Sequence, residues 1–144
     1  MRVSDILRSK GTVVCTISPK ATIADAVGAL DQFGIGAIVV SDNGVDVEGI
    51  LSERDIVRAL HHQGSDVLAC LVSDVMTSPV VTCVPGEQVD YMMGVMTQKR
   101  FRHVPVVESD ELAGIISIGD VVATRVAELE REAEALENYI QFGR

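Results

Sequence analysis

The stretch GILSERDIV, Gly49 to Val57, returns as GIISIGDVV, Gly114 to Val122, and this return decides the fold. Each copy is an apolar run ending on a Ser that is followed three residues later by an Asp, so strand chemistry gives way there to a helix start. Outward from this pair the match continues. VSDIL at Val3 to Leu7 returns as VSDVM at Val72 to Met76, and Thr-x-x-Pro at Thr16 to Pro19 returns at Thr82 to Pro85. A unit of about 65 to 70 residues is too long for a solenoid of small hairpins and short for an independent core. The two copies are therefore expected to fold against one another, and a seam between such halves is a place where ligands sit.

Between the quoted motifs each copy spells the same order. Thr12 to Thr16 is β-branched and predicts a strand. Thr22 and Asp25 then form a capping box for a helix whose inward face would be Ile23, Ala26, Val27, Leu30 and Phe33. Gly34 and Gly36 end it, Ala37 to Val40 reads as a buried strand, Asn43-Gly44 as a hairpin turn, and Glu48 to Leu51 as the return strand. Ser52 caps a helix running to about His62 with Ile56, Val57 and Leu60 inward. The second copy predicts strands Val80 to Cys83, His103 to Val107 and Leu112 to Ser117. Its helices are Glu87 to Lys99, with Val89, Met92, Met93 and Met96 inward, and one from Ile118. The fold class is thus α/β in the broad sense (α+β): two pseudo-symmetric β-α-β-β-α repeats packed together, followed by an extended helix. The divisions are residues 1–64, a packed connector 65–71, residues 72–124, and an amphipathic helix 125–144.

That last helix continues past its counterpart. Val122, Val126, Leu129, Ala133, Leu136 and Ile140 alternate steps of four and three among Glu128, Glu130, Glu132, Glu134 and Glu137, which is a heptad seam. Such a face either folds back on its own domain or meets a second copy; a homodimer is expected.

Composition narrows the function. With 144 residues, 47% hydrophobic and only 3% aromatic, the chain has material for an aliphatic core but lacks the stacking platforms of single-strand binders. A net charge of -9 argues against a polyanionic partner, so no nucleic acid is expected. No apolar run approaches the roughly 20 residues of a membrane span, and no signal region follows Met1; a cytoplasmic protein without membrane contact is expected. The three cysteines, Cys15, Cys70 and Cys83, lack CxxC spacing and read as thiols in a reducing compartment.

The two SxxD pairs, Ser52/Asp55 and Ser117/Asp120, are first of all helix caps. Their equivalent placement in both copies gives them a second reading. A carboxylate there accepts two hydrogen bonds, as a ribose diol requires, while the Ser hydroxyl and the helix N-terminus meet phosphate. Phosphate also needs cations. Arg54 lies inside one SxxD, and Lys99, Arg100, Arg102 and His103 precede a strand; Lys99 and Arg100 read as a solvated helix end, Arg102 and His103 as deeper.

GILSERDIV, RHVPVV, GIISIGDVV and the Thr-x-x-Pro openings together resemble a tandem pair of cystathionine β-synthase (CBS) domains, the unit called a Bateman module, over about Val3 to Val122. The resemblance implies a binding module and no catalyst, without a required cofactor. Its effector would be an adenosine-containing ligand such as AMP, ADP, ATP, NAD or S-adenosylmethionine, in clefts mixing the two repeats. One cleft would take Thr16, Ile17, Ile35, Gly36 and Ala37 with Arg102 or His103, Ser117 and Asp120. The other would take Thr82, Cys83, Phe101, Arg102 and His103 with Ser52, Arg54 and Asp55.

The residue types support unequal clefts. Gly36 and Ala37 would let a purine approach the backbone, which makes the first cleft open but short of cations. The second is cation-rich but crowded by Phe101 and Arg102. Asp120 is expected on ribose, with a monophosphate or dinucleotide straining the charge balance least, and His103 is expected to titrate near neutral pH beside phosphate. No nucleophile, base and orienting group assemble into a catalytic set, so no enzyme is expected. His61, His62 and Cys70 lack the spacing of a zinc site, and no metal is expected. The competing reading is a ligand-free dimerisation or scaffold module whose SxxD pairs only cap helices and whose acidic helix docks an unknown effector protein.

Overall fold

Five helix starts share one device. In the computed structural model, which describes residues 1–142, the carboxylates of Asp5, Asp25, Asp55, Asp74 and Asp120 each accept the backbone N–H three residues earlier. An acid at this position satisfies an orphan N–H and faces the positive end of the helix dipole. The resulting elements run α1 (Val3–Lys10), β1 (Thr16–Ile17), α2 (Ile23–Phe33), β2 (Ala37–Val40), β3 (Gly49–Ser52) and α3 (Glu53–Gln63). A 3₁₀ stretch Gly64–Ala69 leads to α4 (Val72–Val75), α5 (Val89–Lys99), β4 (His103–Glu108), β5 (Glu111–Ser117) and α6 (Ile118–Phe142). The last two residues of the segment 125–144, Gly143 and Arg144, lie outside the described residues.

Two sheets form. In one, β1 pairs parallel to β2 and β2 antiparallel to β3, with Ala37 opposite Ser52; in the other, β4 pairs antiparallel to β5, with His103 opposite Ser117. Each sheet carries its own aliphatic core, and the leading helices are exchanged between them. Val3, Ile6 and Leu7 of α1 are buried with Val89, Met92, Met96, Val104, Val106 and Ile116, whereas Val72 of α4 is buried with Ile23, Leu30, Ile38, Leu51 and Ile56. Backbone hydrogen bonds fasten the exchange: Val3 N–H to Glu87 O and Val89 N–H to Met1 O on one side, Ile23 N–H to Cys70 O and Val72 N–H to Ala21 O on the other. The packing units therefore cut across the sequence repeats. In the connector, Val67 is fully buried, so the link is a packed one.

Several local expectations change. The strand expected over Thr12 to Thr16 is only Thr16–Ile17, because the sheet edge offers just Val39 and Val40 as partners; Val13 is 94% exposed. The strand expected over Val80 to Cys83 shrinks to one parallel bridge, Cys83 to Val106, in a segment bounded by Pro79 and Pro85, which lack N–H donors. Asn43-Gly44 belongs to a longer loop, in which Asn43 Oδ1 accepts the N–H groups of Val45 and Asp46. In the second copy the turn between the strands is tight, at Ser109-Asp110, both with positive φ. Val27, Phe33, Val57 and Leu60, expected inward, are exposed, since each of their helices covers the core with one edge only.

Candidate functional site

The strand ends β2, β3, β4 and β5 meet where α3 and α6 begin, and the sequence puts polar groups at that meeting. Ser52 and Ser117 are the N-caps, and their hydroxyls accept the N–H groups of Asp55 and Asp120. The Glu53 N–H donates to Gly36 O and the Ile118 N–H to Arg102 O, so each helix start is closed by the carbonyl of the neighbouring strand. Those two carbonyls are thereby committed within the protein. The two repeats touch here: a Cβ built on Gly36 would lie 3.5 Å from His103 Cε1 and 3.2 Å from Glu53 Oε1. Gly36 thus lies beside His103, which pairs with Ser117 between β4 and β5. The open floor expected above it is covered by Glu53, a residue the sequence reading missed because an acid at a helix start reads only as dipole compensation.

The acids are bound differently. Asp120 Oδ2 accepts both the Ser117 N–H at 2.8 Å and the Lys10 ammonium at 2.6 Å, and no hydrogen bond among the described residues reaches Oδ1. Burial pushes this carboxyl up, but the Lys10 hydrogen bond, the Ser117 N–H and the Lys10 charge together hold it below the ordinary aspartate range. Asp55 has no cation within ion-pair distance among the described residues: its Oδ2 takes the Ser52 N–H and hydroxyl, and its Oδ1 takes the Thr77 hydroxyl at 3.3 Å. Lys10 is therefore the cation that the first cleft was thought to lack. It arrives from α1, whose exchange onto the second core is invisible in the local pattern. Its counterpart in the second copy is Pro79, which offers Asp55 no cation.

His103 is half-buried opposite Ser117. Desolvation first, and then the Lys10 charge, lower its pKa below the ordinary histidine value against the pull of Asp120 and Glu53, so the ring is neutral at neutral pH. On the other flank of the seam an open groove of about 410 Å³ is lined by Arg54 of α3 with Met96, Thr97, Arg100, Phe101, Arg102 and Ile118. Arg54, Phe101 and Arg102 were expected together; Arg100 is exposed at the end of α5, as a solvated helix end would be, and Arg102, expected deeper, is exposed as well because it lies in the loop before β4.

The remaining candidates distribute as follows. Thr16 and Ile17 are half-buried and tie β1 to β2, with Ile35 half-buried and Ala37 buried beside them. Thr82 is exposed. Cys83 turns into the second core, where burial pushes its thiol up to about 12, so it offers a ligand only main chain. His61 and His62 stack edge to face at 5.2 Å, and Cys70 Sγ contacts Gln63 and Asp66 O. Among the described residues, no group of three or more His, Cys, Asp or Glu side chains is arranged to hold a metal ion, and no helix is long and apolar enough to cross a membrane.

Comparison with known sequences agrees with this duplicated geometry: the CBS domain pattern matches twice, over residues 3–62 and 72–126. The chain belongs to the CBS-domain family. Among CBS proteins, the mitochondrial CBS domain-containing protein CBSX3 of Arabidopsis thaliana is 36% identical over 98% of this chain and 72% of its own length. A CBS-domain containing protein of Agrobacterium tumefaciens superposes with a TM-score of 0.83 at 49% identity, covering 87% of this chain and 99% of its own. A CBS domain protein of Pyrobaculum aerophilum, solved in complex with AMP, superposes at 0.73 with 28% identity over 83% of this chain and 89% of its own. The CBS pair, with two repeats and a long terminal helix, is thus the architecture of this molecule.

Proposed function

We propose that this CBS pair is a sensor of an adenosine-containing ligand, among AMP, ADP, ATP, NAD and S-adenosylmethionine, held at the seam of the two repeats and signalling through α6. The carrying observation is Asp120: its Oδ2 is anchored by Ser117 and Lys10, which leaves Oδ1 oriented by the anchored carboxylate and open to a ribose hydroxyl. Lys10 and His103 stand where the ligand's phosphate would follow, and Gly36 is the backbone approach for the base once the Glu53 carboxylate moves aside. The AMP complex of the Pyrobaculum protein supports the ligand class.

The test is thermal denaturation and titration with the five ligands. A ligand at a hundred times its Kd raises stability by about 2.7 kcal/mol, a shift readily read from the melt. Asp120→Asn retains an oxygen for the Ser117 N–H while losing the charge, so affinity should fall by about tenfold or more, a hydrogen bond to a charged group being worth about 1.5–3 kcal/mol, with the melt of the free protein lowered only slightly. Equal affinity in this variant, or no response to any of the five, removes the sensor reading.

A second reading has its own observation. Val122, Val126, Leu129, Leu136 and Ile140 on α6 are all exposed in the single chain, an apolar face suited to a second copy. We take homodimerisation through this face as part of the module's action; were ligand binding absent, the same face would make it a scaffold for an effector protein.

A further inference from the structure

The two exchanged helices are seated on glycines of equivalent strands, but by different side chains. A Cβ on Gly114 would lie 2.6 Å from Leu7 Cδ2, and Leu7 is sealed in the second core at 6% exposure. Met76 stands at the position equivalent to Leu7, with its sulfur laid against Gly49: a Cβ there would run into Met76 Sδ and lie 3.0 Å from Met76 Cγ. Met76 packs against the first core yet is only half-buried. A thioether fills such a seat as a leucine does, but it can be oxidised.

Thr77, the next residue, is stitched to the edge of β3. The Ile50 N–H donates to Thr77 O at 3.1 Å, and the Thr77 N–H donates to Ile50 O at 2.9 Å. The Thr77 hydroxyl donates to Asp55 Oδ1 at 3.3 Å, and no other hydrogen bond among the described residues reaches that oxygen. The seat of the sulfur, the edge of the sheet and the acid of the first SxxD pair are therefore joined through two consecutive residues.

We infer that Met76 is an oxidation site, and that its sulfoxide releases Thr77 from β3 and from Asp55. A sulfur lone pair attacks one oxygen of a hydroperoxide and the O–O bond breaks. The sulfur gains that oxygen and is oxidised by two electrons, while the peroxide is reduced to water or an alcohol and no leaving group stays on the protein. The new S=O group is a polar acceptor. Gly49 leaves it no room on the strand side, and the core around Ile23, Ile56 and Val72 is aliphatic, so the side chain turns outward and Thr77 goes with it. Enzymatic reduction returns the thioether, which makes the release reversible. Met92 and Met96 are shielded at 2% and 1% exposure; Met1 and Met93 are half-buried, but neither adjoins a residue bonded to an SxxD acid.

The experiment treats the full chain with hydrogen peroxide, locates sulfoxides by peptide mass spectrometry and reads hydrogen exchange at the Ile50 and Thr77 amides. Met76 should oxidise ahead of Met92 and Met96, and exchange at both amides should then rise by about tenfold or more, as it does where backbone bonds open locally. Incubation of the oxidised wild type with methionine sulfoxide reductases and a thiol reductant should restore the slow exchange. Met76→Leu, which puts on Gly49 the residue that the second core seats on Gly114, should exchange slowly with and without peroxide. The inference is overturned if Met76 stays a thioether while Met92 or Met96 oxidises, or if Met76 sulfoxide leaves exchange at Ile50 and Thr77 unchanged. It is equally overturned if peroxide loosens Met76→Leu as much as wild type. Every reading is made without a nucleotide, so failure of the adenosyl site and failure of the oxidation site are separate results.

Discussion

Lys10 stands 2.6 Å from Asp120 Oδ2 and also acts on His103, lowering the pKa of both groups. The two consequences run in different pH windows. For Asp120 the folded carboxyl binds its proton less readily than the unfolded one, so its contribution to stability is present above about pH 4 and is lost as pH falls through the depressed folded value. For His103 the folded ring also binds protons less readily, so the unfolded state takes up a proton first, and this contribution is lost as pH falls below about 6.5. A bound phosphate reverses the histidine effect: it favours the imidazolium, binding takes up a proton, and affinity rises as pH falls toward the free-protein value. The slope of log affinity against pH near neutrality should therefore be negative in wild type and flattened in His103→Gln, measured with NAD so that titration of a terminal phosphate does not intrude. An unchanged slope in the variant would place His103 outside the anion's field. Lys10→Gln tests the same cluster from the other side. The pair is one-third exposed, so its loss should cost about 0.2–1 kcal/mol in stability, while affinity for AMP falls and affinity for adenosine holds.

At the level of elements, the exchange of α1 and α4 depends on two glycines in equivalent strands. A Cβ on Gly114 of β5 would lie 2.6 Å from Leu7 Cδ2, and one on Gly49 of β3 would run into Met76 Sδ with Thr77 O at 3.1 Å. Leu7 is locked in the second core, so Gly114→Ala forces a shift of α1 and should destabilise by about 1–3 kcal/mol in a denaturant titration. Met76 is flexible and half-buried, so Gly49→Ala should cost less unless the Thr77 carbonyl resists. Equal and negligible costs would mean that the helices seat loosely. The same elements show what local sequence can disclose. Helix starts, the buried strand β2 and the β4–β5 hairpin follow from caps and alternation, which act within a few residues. The exchange, the shortened β1 and the placement of Lys10 beside Asp120 follow from contacts distant in the chain, from Thr16 with Val39 to Lys10 with Asp120, and no local pattern encodes them. For the candidate site, Ser117 and Asp120 were legible because the duplication marks the SxxD pair twice. Lys10 and Glu53 escaped because a charged residue at a helix end is ordinary there. Cys83 was misplaced because strand neighbours alternate faces, and its side chain points into the core.

In the whole molecule, α6 begins at the Ser117/Asp120 cap and runs 25 residues, about 37 Å at 1.5 Å per residue, so a tilt at the cap is carried to the far end. Only Val121 of this helix is buried, while Val126 is 47% exposed, Leu136 59% and Ile140 71%. These side chains contribute little to the single chain's core, so Leu129→Glu with Leu136→Glu should leave the monomer's melt nearly intact. It should also convert a sedimenting dimer to a monomer, since like charges would then line the seam. A monomeric wild type removes the dimer; a dimeric double variant moves the interface to another face. Coupling between the two ends is a separate matter, and linkage decides it. If an adenosyl ligand at Asp120 shifts α6 and so changes the dimer's dissociation constant, dimerisation must change the ligand's affinity by the same factor. The double variant is then the measurement: its affinity should differ from wild type by about fivefold or more, the lower end of ordinary coupling energies of about 1 kcal/mol. Identical affinity in dimer and monomer would confine the ligand's effect to its own cleft and leave α6 as a rod that transmits nothing.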